Sequence, residues 1–319
     1  MKVIFMGTPD FAEAALRALV ASAHDVVGVV SAPDKPVGRG HRIARPAVAE
    51  AAVELGLPLT QPEKLRGPDF LAWLAEKEAD VFCVVAFRML PAVVWQMPER
   101  GTINVHGSLL PFYRGAAPIQ HAVAHGEKYT GVTSFFIREE IDTGALLLQR
   151  GTAIGADDTA GDIYARLMTD GAGLLVDTLD ALAACALDGT PQSELVYLLE
   201  NDGHTFHEAP KLFRQDGEVN WEQPREAVYD FIRGMTPHPG AWTLLNGQPL
   251  KIHSTTPLLD RISGKTAERP GQCKVEKGRL FVGTQSGEIE LLQVQAAGKP
   301  RRSIADFLNG YKDPIEQLG

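Results

Sequence analysis

Through the first two-thirds of the chain, short apolar runs alternate with stretches of helical spacing, the pattern of βα units around a largely parallel sheet. Candidate strands are Val3–Gly7, Val26–Ser31, Val81–Ala86, Thr102–His106, Val132–Ile137 and Leu146–Arg150. Most are rich in Val, Ile and Phe, as strands covered by helices on both faces must be. Segments 10–22, 45–56, 67–77 and 116–126 carry helical spacing, and Ile163, Leu167, Leu174, Leu175, Leu179 and Leu182 form a packed stripe within 158–187. After Asp188-Gly189-Thr190-Pro191 a polar stretch runs to Ala209-Pro210 and reads as a linker. Beyond it, Gly and Pro punctuate five short β-like runs: Trp242–Leu245, Leu250–His253, Gly271–Glu276, Leu280–Thr284 and Glu288–Val294. Those runs predict a small OB-like β-barrel, with helices at 223–234 and 304–308. The expected fold is therefore a Rossmann-like α/β domain over 1–189, a linker over 190–209 and a β-barrel domain over 210–319.

Composition adds few constraints. The chain has 319 residues, 45% of them hydrophobic and 22% charged, which excludes a disordered or fibrous protein. No apolar run reaches the length of a membrane span, and Met1–Gly7 reads as a strand rather than a leader, so a cytoplasmic location is expected. Cys83, Cys185 and Cys273 lie far apart with no CxxC or Cys/His cluster, so neither a disulfide framework nor any metal is implied. Net charge is -9, with the acid excess confined to residues 1–209. That balance alone proposes no polyanionic partner, and nothing in the sequence demands more than a monomer.

Candidate chemistry begins at the first βα junction, Gly7-Thr8-Pro9-Asp10-Phe11, where Gly7 permits a tight turn, Thr8 can cap the helix and Pro9 suits its first position. A single glycine is not the GxGxxG of a dinucleotide site, which argues against a nicotinamide enzyme. The stretch Asn104-Val105-His106 ends a strand, so both polar side chains share one face with Cα atoms roughly 6.5 Å apart. An amide donor beside an imidazole suits acyl transfer, Asn for a developing oxyanion and His for protons, although a polar strand cap has the same spacing. Beyond Thr133–Ile137, the loop 138–144 returns Asp142 toward the sheet edge, where it can accept a hydrogen bond from His106 and stabilise its protonated form. An Asp-Thr-Gly turn is the other reading of that residue.

Gly7-Thr8-Pro9-Asp10-Phe11, Asn104–Pro111, Tyr113–Ile119 and Asp142-Thr143-Gly144 fall in order, and with Arg233–Trp242 near the end they together resemble the methionyl-tRNA formyltransferase family along essentially the whole chain. The resemblance implies formyl transfer from 10-formyltetrahydrofolate to the α-amino group of initiator methionyl-tRNA. It places the family's catalytic residues on Asn104, His106 and Asp142, and its folate-binding Ser-Leu-Leu-Pro on Ser108, Leu109, Leu110 and Pro111. It also assigns the segment Phe87, Arg88, Met89 and Leu90 to the folate pocket, where many members carry Tyr-Gly in place of Phe87-Arg88. Phe112 is a second departure, since relatives often carry Lys or Arg there. On the acceptor side, Lys35, Arg39, Arg42 and Arg45 lie in a Gly- and Pro-rich stretch that reads as a mobile loop, and the resemblance makes them phosphate contacts on initiator tRNA. Basic residues of the barrel, Arg301 and Arg302 among them, are further candidates by fold analogy. The alternatives share the chemistry: a formyltransferase acting on a small nucleotide or amino-sugar amine, or a hydrolase passing formyl to water.

Overall fold

The computed structural model describes residues 1–37, 42–185, 187–201, 203–256 and 269–319, with the side chains of 36, 37 and 42 left aside. In chain order the elements begin β1 (Lys2–Gly7), α1 (Asp10–Val20), β2 (Asp25–Val30), β3 (Lys35–Val37), β4 (Arg42–Ala44), α2 (Ala47–Glu54), β5 (Leu59–Thr60) and α3 (Pro68–Glu76). They continue with β6 (Val81–Val85), α4 (Ala92–Trp95), β7 (Thr102–His106), α5 (Pro118–Ala124), β8 (Tyr129–Phe136), β9 (Leu146–Ala153), α6 (Ala160–Ala183) and α7 (Gln192–Asn201). The remainder is α8 (Arg225–Gly234), β10 (Ala241–Leu245), β11 (Gln248–Thr255), β12 (Cys273–Glu276), β13 (Arg279–Thr284), β14 (Gly287–Ala296), β15 (Arg302–Ser303) and α9 (Ile304–Gly310).

The chain divides into two compact units. The first holds 1–115, 131–152 and 165–208 around a sheet of order β5-β2-β1-β6-β7-β8-β9. Strands β5, β2, β1, β6 and β7 pair in parallel, whereas β8 runs antiparallel to β7. Strand β6 is buried at all five positions and β1 at five of six, which accounts for the unbroken apolar runs that mark them in the sequence. One core cluster packs Ile4, Met6, Phe82 and Val84 of the sheet against Phe70 and Leu74 of α3. Strand order reverses between β1 and β6, and ligands of open α/β sheets bind outside the strand C-termini at such a switch point. Gly7 pairs with Val85 there, and a Cβ on Gly7 would lie 2.5 Å from the Cβ of Ala12, so only glycine lets α1 leave β1 this closely.

The second unit holds 116–130, 153–164 and 209–319. Its sheet runs β10-β11-β14-β13-β12, with β15 beside β14. Residues 316–319 then pair with both outer strands: Leu318 bridges Leu245, Gln317 bridges Gln272, and the Gly319 amide donates to the Leu244 carbonyl. This tail closes the sheet into the barrel expected from the sequence. Its core gathers Ile252, Leu280, Leu291, Val294 and Leu318 with Val228 and Ile232 of α8.

Four sequence expectations change. Segment 116–126 does form a helix, α5, but it belongs to the second unit, where Ala124 packs directly on Gly234 of α8. The supposed linker contains α7, and residues to 208 belong to the first unit. The stretch around Lys35 and Arg45 is no simple loop, because β3 and β4 pair antiparallel from Lys35 opposite Ala44 to Val37 opposite Arg42. At the first βα junction, Pro9 occupies the N-cap of α1 with no side-chain cap, so neither Thr8 nor Pro9 has its expected place.

Candidate active site

Asn104 and His106 lie on β7, Asn104 between Val84 of β6 and Phe135 of β8. Their common face follows from the two-residue repeat of a strand, as the sequence required. His106 is only 7% exposed. Its Nε2–H donates to the Tyr113 carbonyl at 2.9 Å, and its Nδ1 lies 3.6 Å from Asp142 Oδ2. A carbonyl can only accept, so Nε2 carries the proton and Nδ1 is left as the basic nitrogen, just outside hydrogen-bond range of the carboxylate. Asp142, its side chain 12% exposed, accepts the Gly115 amide at 3.0 Å on that same Oδ2. The Asn104 side chain is half-buried and has no hydrogen-bond partner among the described residues.

The segment that follows β7 is fastened from β8 and β9. Thr133, opposite His106 in register, donates its hydroxyl to the Ser108 carbonyl at 2.6 Å and accepts the Leu110 amide at 3.1 Å. Gln149 donates to the Leu110 carbonyl at 2.8 Å. The Ser108 hydroxyl is fully buried and donates to the Phe112 carbonyl, and Leu110 packs in a small core with Phe135 and Leu146. Of the four folate candidates here, Ser108 and Leu110 thus spend their side chains on internal structure, Pro111 is buried and Leu109 is half-buried.

At the end of β6, Ala86 is exposed with φ of 45°. Met89 is 72% exposed, whereas Leu90 is part of the core beneath α3. Arg88 reaches the segment that follows β5: it donates to the carbonyls of Pro62 and Glu63 and lies over the Phe87 ring at 5.5 Å. Its Nε is buried without a partner among the described residues, and burial lowers the affinity of the guanidinium for its proton. Ala86, Tyr113 and Asp142 are all non-glycine residues at positive φ, a conformation that costs free energy and concentrates at functional sites.

The loop to Asp142 has a demanding path. Phe136 of β8 pairs with Ile103, so the chain leaves the sheet three residues short of His106, about 10 Å along β7, and must fold back to reach it. A Cβ at Gly144 would sit 1.6 Å from the Phe136 carbonyl oxygen, which makes glycine obligatory at the turn. Gln192, the first residue of α7, donates its amide to the carbonyls of Asp142 and Gly144, both at 2.9 Å, and accepts from Arg114 at 2.6 and 3.1 Å. Desolvation draws the Arg114 guanidinium below its ordinary range, with Asp142, Glu140 and Glu208 opposing it. Gln192 carried no signal in the sequence, because a lone glutamine in a polar stretch has no pattern to mark it. An aromatic group was missed for the same reason: Phe112 packs on Phe206 at 4.9 Å and on His204 at 5.9 Å.

Elsewhere in this unit, Lys35 and Arg45 are exposed at the β3–β4 ribbon, and Arg45 Nε lies 3.7 Å from Asp34. Arg39 and the side chain of Arg42 lie outside the described residues. No group of three or more His, Cys, Asp or Glu among the described residues is placed to hold a metal ion. No helix among them is long and apolar enough to cross a membrane.

Residues 1–179 match the formyl transferase family, and residues 211–312 match the formyl transferase C-terminal domain. A methionyl-tRNA formyltransferase of Porphyromonas gingivalis is 45% identical over 316 residues, covering 98% of this chain and 96% of that protein. One from Streptomyces griseus is 42% identical over 314 residues, covering 98% and 97%. Among solved structures, the sugar 3N-formyltransferase WlaRD, studied with dTDP and 5-N-formyl-THF, has a TM-score of 0.65 at 16% identity over 94% of this chain and 99% of its own. HypX of Aquifex aeolicus in complex with tetrahydrofolic acid has a TM-score of 0.63 at 17% identity, covering 99% of this chain, which spans only 50% of HypX. At such identities these two structures speak for the fold alone. The sequence relatives carry more weight, since they run nearly end to end at above 40% identity and both domain families match in order, and on that footing the chain belongs to the methionyl-tRNA formyltransferase family.

Proposed function

We infer that this protein transfers the formyl group of 10-formyltetrahydrofolate to the α-amino group of methionine on initiator tRNA, in the cytoplasm and as a monomer. The observation that carries the reading is the arrangement at the end of β7: an Asn104 amide without a partner among the described residues, beside a His106 whose Nε2–H is fixed on Tyr113 and whose Nδ1 faces Asp142. The folate supplies an activated formyl carbon on a nitrogen leaving group. The open Ala86, the exposed Met89 and the Asn104 amide, which has no partner among the described residues, support a polar heterocycle binding at the β1/β6 switch point.

Asn104 donates its amide hydrogen to the oxygen on which negative charge develops. His106 accepts the proton of the attacking amine at Nδ1 and returns it to the departing nitrogen, so no net proton is gained or lost by the protein. Asp142 faces the ring through that interval, when the imidazolium carries its positive charge. Leu109, Pro111, Phe87, Arg88, Met89 and Leu90 are proposed to frame the folate, with Ser108 and Leu110 acting through the backbone they hold. Lys35, Arg39, Arg42 and Arg45 are proposed to contact tRNA phosphates.

The test follows radiolabelled formyl from 10-formyltetrahydrofolate onto Met-tRNA, with uncharged tRNA and glycinamide ribonucleotide beside it. Label appears only on charged tRNA and is abolished by His106→Ala. Label on the small amine, or folate consumed with no labelled tRNA, refutes the assignment. Replacing Lys35, Arg39, Arg42 and Arg45 together by Ala lowers the slope of log KM for tRNA against log salt by about 2 to 3; an unchanged slope removes them from the interface.

A further inference from the structure

We propose that Gln192 is a positioning residue that seats the Asp142 carboxylate against His106, an inference that rests on the roles given above to His106 and Asp142. Gln192 is 2% exposed and uses both ends of its amide. The nitrogen donates to the carbonyls of Asp142 and Gly144, and the oxygen accepts from Nε and Nη2 of Arg114. These contacts grip both halves of the carboxylate's seat. One half is the returning loop, whose Asp142 sits at φ of 55°. The other half is Arg114-Gly115, whose Gly115 amide binds Asp142 Oδ2, the oxygen nearest His106 Nδ1.

The position of Gln192 is itself fixed from the sheet. Leu146 of β9 and Thr190 exchange two backbone hydrogen bonds of 2.8 Å, so α7 starts at a defined distance from the loop it clasps. A carboxamide is the side chain this place needs. Two carbonyls call for two N–H donors, a guanidinium calls for an acceptor, and Gln supplies both from one group at this length. Glutamate would keep the Arg114 contact and set a carboxylate against two carbonyl oxygens. Methionine would keep the volume and offer neither.

The experiment measures kcat and both KM values for Gln192→Met and Gln192→Glu, alone and combined with Asp142→Asn. A seat displaced by a fraction of an ångström lowers kcat by about 10²-fold in either single variant, while KM for folate and for Met-tRNA stay within about twofold. In the Asp142→Asn background the same substitutions cost less than about threefold, because the group they position is already gone. An unchanged kcat, a loss carried in KM, or a full second loss in the Asp142→Asn background overturns the proposal. Gln192→Glu keeps the test open if Gln192→Met does not fold. Parental turnover in Asp142→Asn alone identifies the other failure, that of the site assignment itself, and the proposal falls with it.

Discussion

Replacing Asp142 with Asn isolates the charge of the carboxylate from its other duties. The variant keeps the size of the side chain and an oxygen to accept the Gly115 amide, now found at 3.0 Å. What it removes is the attraction between a carboxylate and an imidazolium whose nearest atoms lie 3.6 Å apart. Coulomb's law at an effective dielectric of about 20 gives roughly 4.6 kcal/mol for unit charges at that separation. The carboxylate spreads its charge over two oxygens, one of them already bonded to Gly115, so the usable part is about 2 to 4 kcal/mol, or roughly 30- to 10³-fold in rate. Because the ion pair exists only while the ring is protonated, the loss falls on the chemical step. Single-turnover formyl transfer, with folate saturating and enzyme in excess over Met-tRNA, measures that step directly. Thermal unfolding run alongside shows a Tm within about 3 °C of the parent, since a 1 kcal/mol change moves a domain of this size by about that much. A single-turnover rate within about threefold of the parent refutes the role given to the charge.

Asn104→Ala lowers kcat by about 10²- to 10³-fold with no loss of Tm, because its amide has no partner among the described residues to lose; unchanged turnover removes it from the mechanism. Gly144→Ala forces a Cβ to within 1.6 Å of the Phe136 carbonyl, so the loop must move, and denaturant unfolding reports a loss of at least about 2 kcal/mol together with a fall in kcat. A fully stable Gly144→Ala protein would mean that the loop has another path. At pH 8 one thiol of three reacts quickly with a disulfide reagent: Cys185 is exposed, while burial pushes Cys83 far up and Cys273 up to about 12, leaving both as unreactive thiols until the protein unfolds.

The expected strands of the first unit and of the barrel were legible to within three residues, most closely where burial on both faces demanded an unbroken apolar run, as in β6. Elements whose stability comes from a neighbour were not. The β3–β4 ribbon pairs two strands of only three residues each, and α7 begins and ends on polar residues, with Leu195, Val196, Tyr197, Leu198 and Leu199 half-buried or exposed between them. That Asn104 and His106 share a face was legible because a strand repeats every two residues, a rule that needs no tertiary information, while the roles expected of them came from the resemblance. Asp142 needed more, since nothing local says that a loop leaving β8 beside Ile103 turns back to His106. Thr133, Gln149 and Gln192 were invisible for a related reason. Each acts through hydrogen bonds to carbonyls far along the chain, and single polar side chains at such separations leave no periodic trace.

The four residues that close the barrel have a consequence for solubility. An open antiparallel sheet ends in two rows of unsatisfied N–H and C=O groups, which invite strands from other molecules. Here residues 316–319 pair with the ends of β10 and β12, and the Val219 amide donates to the Trp242 carbonyl on the flank of β10. Both margins of the sheet are thereby occupied from within the molecule. A chain lacking that tail would bare the Leu244–Leu245 end of β10 and the start of β12, and its first symptom would be association between copies by edge pairing.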